Sequence, residues 1–199
     1  MRVKTDARRQ AIVAAAWETF RERGGFERTT MSEISDRAGG SKATLYSYFK
    51  SKEELFAAAL EQTMRERTEE AFERVAGTGE LSGRLLDFAL AYLEMRLEPD
   101  MISVDRALIG EAERSELGEM LRAQFVLPQW QRLAAVIEQE MAAGRLRKAD
   151  PYRATTHFRG LIEADLVERR LHGDTKITPQ EIKDAVSYGV EVFLRAYGP

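Results

Sequence analysis

Thr29-Thr30-Met31-Ser32-Glu33-Ile34-Ser35-Asp36-Arg37-Ala38-Gly39-Gly40-Ser41-Lys42-Ala43-Thr44-Leu45-Tyr46-Ser47-Tyr48-Phe49-Lys50-Ser51-Lys52-Glu53-Glu54-Leu55 is the stretch whose reading decides the fold. Thr30-Met31-Ser32-Glu33 is a capping-box pattern: the threonine hydroxyl accepts the N–H three residues on, and the glutamate reaches back to the threonine N–H. A helix therefore starts there with Thr30 as its cap. It can run only about two turns before Gly39-Gly40, a pair free to adopt the positive φ of a sharp turn. A third short helix is predicted over Ser41 to about Ser47. Ser51-Lys52-Glu53-Glu54 is a second capping box, opening a long helix through Leu55, Phe56, Leu60 and Met64 toward Val75, which Gly77-Thr78-Gly79 breaks.

A two-turn helix, a glycine turn and a second short helix are the parts of a helix-turn-helix. In that motif the first helix braces the second, whose N-terminal residues enter the major groove of DNA. The apolar brace is expected at Met31, Ile34 and Ala38, with Leu45 on the second helix and Trp17 and Phe20 beneath. Ser41, Lys42, Ala43, Thr44, Tyr46, Ser47 and Tyr48 are left to face a ligand. Lysine, hydroxyl and phenol groups bond phosphate oxygens, and the short Ala43 lets a helix approach a base edge or a thymine methyl. Thr30 and Lys52 sit at two further helix N-termini, where the dipole and free N–H groups favour phosphate. Among the aromatics, Phe49 is assigned to the module's own core and Tyr46 to the groove side.

Outward from this stretch the chain continues to read as helix. Ile12, Val13, Ala16, Trp17 and Phe20 recur at helical spacing until Gly24-Gly25. Asp150-Pro151 and Thr178-Pro179-Gln180-Glu181 each place a capping residue before a proline at the first helical position. Phe158, Leu161, Ile162, Asp165 and Leu166 share a face of a penultimate helix. Ile182, Val186, Gly189, Val190, Phe193 and Tyr197 form one stripe on the last. No segment alternates with period two for long enough to argue a strand, so the expected class is all-α, with a helix-turn-helix domain over 1–52 and a larger helical body over 53–199.

Composition narrows the chemistry. The 199 residues include no cysteine and two histidines, His157 and His172, which removes thiolate nucleophiles and zinc-thiolate sites. No metal, cofactor or catalytic residue is expected: there is no nucleophile–base pairing, no phosphate-cradling glycine loop and no ligand spacing. No uncharged apolar run reaches membrane-helix length, and the first residues lack a signal-peptide core, so the expected location is cytoplasmic. A net charge of −3 speaks at first against a polyanion partner, but residues 1–52 carry 11 Lys+Arg and 6 Asp+Glu, a balance of +5, against −8 in the remainder. A basic head on an acidic body fits a nucleic-acid-binding module whose body repels DNA, and it favours cationic or neutral small ligands.

These residues resemble the N-terminal signature of TetR-type transcriptional regulators, with Ile12-Val13-Ala14-Ala15-Ala16, Phe20 and Gly25-Phe26 matching that family's first helix and its exit. The resemblance implies phosphate contacts from Thr30, Lys42, Tyr46, Tyr48 and Lys52, with Ser41, Ala43, Thr44 and Ser47 nearest the bases. One departure is Gly40, where the family usually has an aliphatic residue; its loss is expected to loosen the turn. Arg106-Ala107-Leu108-Ile109-Gly110-Glu111-Ala112 and Gly144-Arg145-Leu146 before Asp150-Pro151 resemble one subgroup, which implies a helical ligand-binding and dimerisation domain.

The two terminal stripes suit a four-helix homodimer bundle. Phe158, Leu161, Ile162, Asp165, Ile182, Val186, Gly189, Val190 and Phe193 are its candidate interface residues, and core within one chain is the other reading. Polar groups among apolar ones at Tyr92, Arg96, Arg106, Glu111, Gln124, Trp130, His157 and Glu163 are candidates for an effector site, with His157 open among ligand contact, interface group and buried core histidine. The expected function is a homodimeric repressor that leaves a pseudo-palindromic double-stranded operator when a small molecule binds the body, with the long helix from Ser51 as hinge. A helical carrier or enzyme with a vestigial module is the alternative.

Overall fold

The structure, a computed structural model, describes residues 5–111 and 117–199, without the side chains of Met64, Glu66, Arg67, Ala107, Leu108, Glu111, Leu117 and Phe125. The expected places of Met64 in a helix stripe and of Glu111 in an effector site therefore lie outside the described residues, as does Ala112. Among the described residues eleven α-helices and a π-helical segment follow one another: α1 Asp6–Arg23, α2 Met31–Arg37, α3 Lys42–Tyr48, α4 Lys52–Ala76, α5 Leu81–Arg96, α6 Pro99–Glu111, α7 Leu117–Leu121, the π segment Arg122–Val126, α8 Leu127–Ala142, α9 Pro151–Glu163, α10 Leu166–Leu171 and α11 Pro179–Tyr197. No strand occurs among the described residues. The chain divides into two compact units, Met1–Glu66 with Ser103–Leu121 and Arg67–Ile102 with Arg122–Pro199. The first unit thus keeps the leading turns of α4, beyond residue 52.

The helix starts follow from local chemistry. Thr30 and Thr178 both close complete capping boxes, with Glu33 and Glu181. Asp150 accepts the Arg153 N–H and stands before Pro151. At α4 the box is only half formed: Ser51 Oγ accepts the Glu54 N–H at 3.1 Å, while the Glu54 carboxylate takes the N–H of Lys50 at 2.6 Å.

In the first unit, Phe20, Phe26 and Phe56 meet edge-on or stacked at centroid distances of 4.9–6.1 Å. Such aromatic pairs add to what their buried area already contributes. Met31, Ile34, Leu45 and Phe49 are buried around them, whereas Trp17 and Ala38 are only half-buried.

In the second unit α11 packs on α9 and α5, and α8 on α9. Phe88, Leu93, Leu133, Ile137, Phe158, Ile162, Val190 and Phe193 belong to its apolar core. A carboxylate at 3% exposure lies inside this unit. Glu140 on α8 accepts from Arg84 at 2.8 Å and from the Arg145 side chain, while Arg84 also reaches the Val75 carbonyl at 2.9 Å. The Arg145 hydrogen bond first, and Arg84 with it, hold the Glu140 carboxyl below its usual range against the opposing effect of burial.

This packing corrects the expected dimer interface. Phe158, Ile162, Val186, Val190 and Phe193 are at most 2% exposed within one chain, so they have no surface left for a partner. Gly189 is buried for the same reason: a Cβ there would stand 2.6 Å from the Leu161 carbonyl oxygen of α9. Leu161 and Ile182 are half-buried against the same core. Asp165 does not continue the penultimate helix, because α9 ends at Glu163 and Ala164 turns the chain at φ 46° into α10. The α9 and α11 stripes face each other inside the chain.

Gly189→Ala should therefore lower unfolding stability by about 1–3 kcal/mol through overpacking. Gly160→Ala, at an exposed helical site with open space around it, should raise stability by up to about 1 kcal/mol from helix propensity. Urea denaturation of both variants measures the contrast, and equal effects would contradict the close approach.

Candidate nucleic-acid interface

The candidate surface is the N-terminal and outer side of α3. Ser41 caps the helix, accepting the Thr44 N–H at 3.1 Å and sharing a 3.0 Å hydrogen bond with the Thr44 hydroxyl. Leu45 and Phe49 turn inward, at 2% and 0% exposure, and this fixes which residues turn outward. Ser41, Lys42, Ala43, Tyr46 and Ser47 are exposed, and Thr44 and Tyr48 half-buried. Tyr46 stands 50% exposed, a high value for so large an aromatic side chain. The Ser47 hydroxyl donates back to the Thr44 carbonyl at 2.7 Å, and the Tyr48 hydroxyl accepts the Thr5 N–H at 3.2 Å. All seven residues thus lie on one seven-residue helix and its cap, brought together as the spacing predicts.

Two expected phosphate contacts are engaged differently. The Lys52 ammonium donates to the Phe26 carbonyl at 2.9 Å and the Thr29 carbonyl at 3.2 Å, and it lies 3.9 Å from the Phe26 ring centroid. Two of its three donors are spent inside the head. At Thr30 the N-terminus of α2 already holds an anion: the Glu33 carboxylate takes both the Thr30 N–H and its hydroxyl at 2.9 Å. Those bonds, the backbone one foremost, and the charge of Arg23 hold the Glu33 carboxyl below its usual range. Both residues build the head's frame.

The turn between α2 and α3 is held by two side chains that the spacing does not single out. The Ser35 hydroxyl donates to the Gly40 carbonyl at 2.8 Å, and Arg8 on α1 donates to the Gly39 carbonyl at 3.1 Å. Gly39 takes φ +66°, whereas Gly40 is not among the residues with positive φ. The turn is thus held by side chains of α1 and α2 on either side of the residue that lacks one.

Of the expected effector residues, the structure brings Tyr92, Trp130 and Glu163 into direct contact, with Arg96 near enough to act on the Tyr92 hydroxyl by its charge. The Tyr92 hydroxyl donates to the Glu163 carboxylate, and its ring meets Trp130 edge-on at 5.1 Å. Arg159, which the sequence reading passes over, completes the group: it donates to Glu163 at 2.9 Å and lies 5.1 Å from the Trp130 ring centroid. Burial above all, then the charge of Glu163, pushes the Tyr92 hydroxyl far above its usual range, so it stays a protonated donor; Arg159 and Arg96 pull the other way. Arg106 and Gln124 are exposed. His157 is exposed too, sharing a 2.6 Å hydrogen bond with the Tyr197 hydroxyl, so it is no core histidine.

Among the described residues no cluster of three or more histidine and carboxylate side chains could hold a metal ion, and no helix is long and apolar enough to cross a membrane. What the first unit presents is a short helix braced from below, its outer side lined with hydroxyl, phenol and ammonium groups. A surface of that kind on a helix-turn-helix reads DNA, and with a helical body attached it defines the class of helix-turn-helix transcriptional regulators.

Comparison with known proteins agrees. A family model described as "Bacterial regulatory proteins, tetR family" matches residues 12–59, and one described as "AefR-like transcriptional repressor, C-terminal domain" matches residues 83–199. The chain belongs to the TetR family of transcriptional regulators. It is similar to the transcriptional activator FasR of Mycolicibacterium smegmatis, 46% identical over 61 residues, which are 31% of this chain and 27% of that protein. It thus spans little more than a quarter of that relative's length. A TetR-family regulator from Mesorhizobium loti shares the fold over 100% of both chains, with TM-score 0.88 and 22% identity. The flavonoid-responsive regulator FrrA is 30% identical, with TM-score 0.75 over 98% of this chain and 99% of that one.

Lys52→Met should lower the stability of the first unit by about 1–3 kcal/mol, because it leaves two inward carbonyls without their charged donor. Thermal unfolding in the absence of DNA measures this. An unchanged melting temperature would return Lys52 to a purely external role.

Proposed function

We propose that the chain is a homodimeric, effector-responsive repressor whose residues 1–52 read a pseudo-palindromic operator and whose residues 53–199 dimerise and bind the effector. The observation that carries the DNA reading is the pair of uncommitted polar side chains on the outer side of α3. Lys42 and Tyr46 have no hydrogen-bond or ion-pair partner among the described residues, although each is polar and exposed. Ser41, Ala43, Thr44 and Ser47 lie nearest the bases, and Lys42, Tyr46 and Tyr48 bond phosphates. Thr30 and Lys52 act by holding the frame.

Because the α9 and α11 stripes are consumed within the chain, dimerisation uses the outward sides of these two helices. Thr156 is exposed on α9, and Tyr188 on α11 is 70% exposed. A two-fold pairing there would set two heads a helical turn of DNA apart or a multiple of it. The sign of regulation is read from the body, whose family description is that of a repressor; FasR, similar in the head, is an activator.

Selection of bound duplexes from a random pool tests head and dimer together and should return a palindromic consensus. Lys42→Ala and Tyr46→Ala should each weaken binding to it by about 1 kcal/mol or more. Lys42→Ala should also reduce the slope of log affinity against log salt by about one, since one fewer counterion is released. Wild-type affinity in both variants would sink the assignment.

For the effector, the Tyr92, Trp130, Arg159 and Glu163 group supports an amphipathic aromatic molecule, neutral or cationic given the balance of −8 over residues 53–199. The similarity to a flavonoid-responsive regulator points the same way. Titrating neutral planar phenols against their carboxylated analogues, with operator present, should lower operator affinity roughly 5–150-fold for the neutral series. Tight binding of such a compound with no loss of operator affinity would contradict the switch.

A further inference from the structure

We infer that Arg8, acting from α1 through the space left by the missing side chain at residue 40, is a positioning residue for α3 and so for the selection of bases. The Gly40 backbone does not require glycine, since its φ is not positive. What an added Cβ would meet is the Arg8 guanidinium, at 2.5 Å from Nη2, with the Thr44 Cβ at an ordinary 3.9 Å. That same Nη2 donates to the Gly39 carbonyl at 3.1 Å. Glycine at residue 40 is therefore what admits the arginine to the turn.

The contact is not alone. Three residues earlier, the Thr5 N–H at the start of α1 donates to the Tyr48 hydroxyl at the end of α3. The first turn of α1 thus holds both the turn that enters α3 and the last residue of α3. A helix this short has few contacts of its own to fix its axis, and displacement of a recognition element by about 1 Å is enough to spoil paired hydrogen bonds. Arg8 acts on base reading through the position of α3, without itself touching a base.

The inference rests on the DNA-reading role proposed for α3. Its test uses the full chain and the duplex that the wild-type protein selects from a random pool, compared with a copy carrying one mismatched half-site. Gly40→Ala displaces the guanidinium while removing no charge, and Arg8→Ala removes the guanidinium itself. Each should reduce the preference for the selected duplex roughly tenfold, the scale of one charge-assisted hydrogen bond. Gly40→Ala should leave the salt slope and melting temperature close to wild type.

The double variant should be no worse than either single one, because both remove the same contact. Arg8→Lys, which keeps a donor of similar reach, should recover part of the preference. Unaltered selectivity in Gly40→Ala, or additive losses in the double variant, would overturn the role of Arg8 while leaving the DNA reading intact. A wild-type protein that selects no duplex would overturn that reading and this inference with it.

Discussion

Two helices of seven residues each cannot hold themselves together in water, since a helix that short repays little of its nucleation cost. They are held by the burial of Ile34, Leu45 and Phe49, and the turn between them is positioned by side chains of α1 and α2. The Gly39 carbonyl is met by Arg8 and the Gly40 carbonyl by Ser35, so the polar groups exposed by a sharp reversal are satisfied without lengthening the loop. Leu45 and Phe49 can then turn inward together, and once they do, Lys42 and Tyr46 have only the outer side to occupy. Lys52 performs the same service one layer down, closing the carbonyls at Phe26 and Thr29 over an aromatic floor. The chemistry offered to DNA is thus set by hydrogen bonds that never face it.

The body obeys a different constraint. Its last helix approaches α9 so closely that residue 189 has no room for a Cβ. That contact decides which side of each helix is inside, and it leaves Tyr188 outside although it is neighbour to a buried glycine. A stripe of apolar residues states that a face is buried and says nothing about whose surface buries it.

This is where legibility in the sequence ends. Helix starts at Thr30, Asp150 and Thr178 were readable because a cap is made by residues two or three apart. The outward set on α3 was readable because a short helix has few ways to bury one leucine and one phenylalanine. The partners of the two terminal stripes, the inward turn of Lys52, and the grouping of Arg159 with Tyr92, Trp130 and Glu163 depend on residues 23 to 71 positions away or on the whole packing, and no local pattern encodes them. Gly40 was visible as a departure, but its meaning lay in Arg8, thirty-two positions back.

The pair formed by Arg84 and Glu140 contributes something other than net stability. Desolvating both charges costs about as much as their attraction returns, so an apolar pair could hold α5 to α8 comparably well. Leucines, however, accept many neighbours, and two helices joined by them can slip by a turn with little penalty. A carboxylate at 5% side-chain exposure resists slipping, because a shifted register parts it from Arg84 and leaves it Arg145 alone. The salt bridge thus serves as a register pin, narrowing the alternatives open to the body more than it deepens the native minimum.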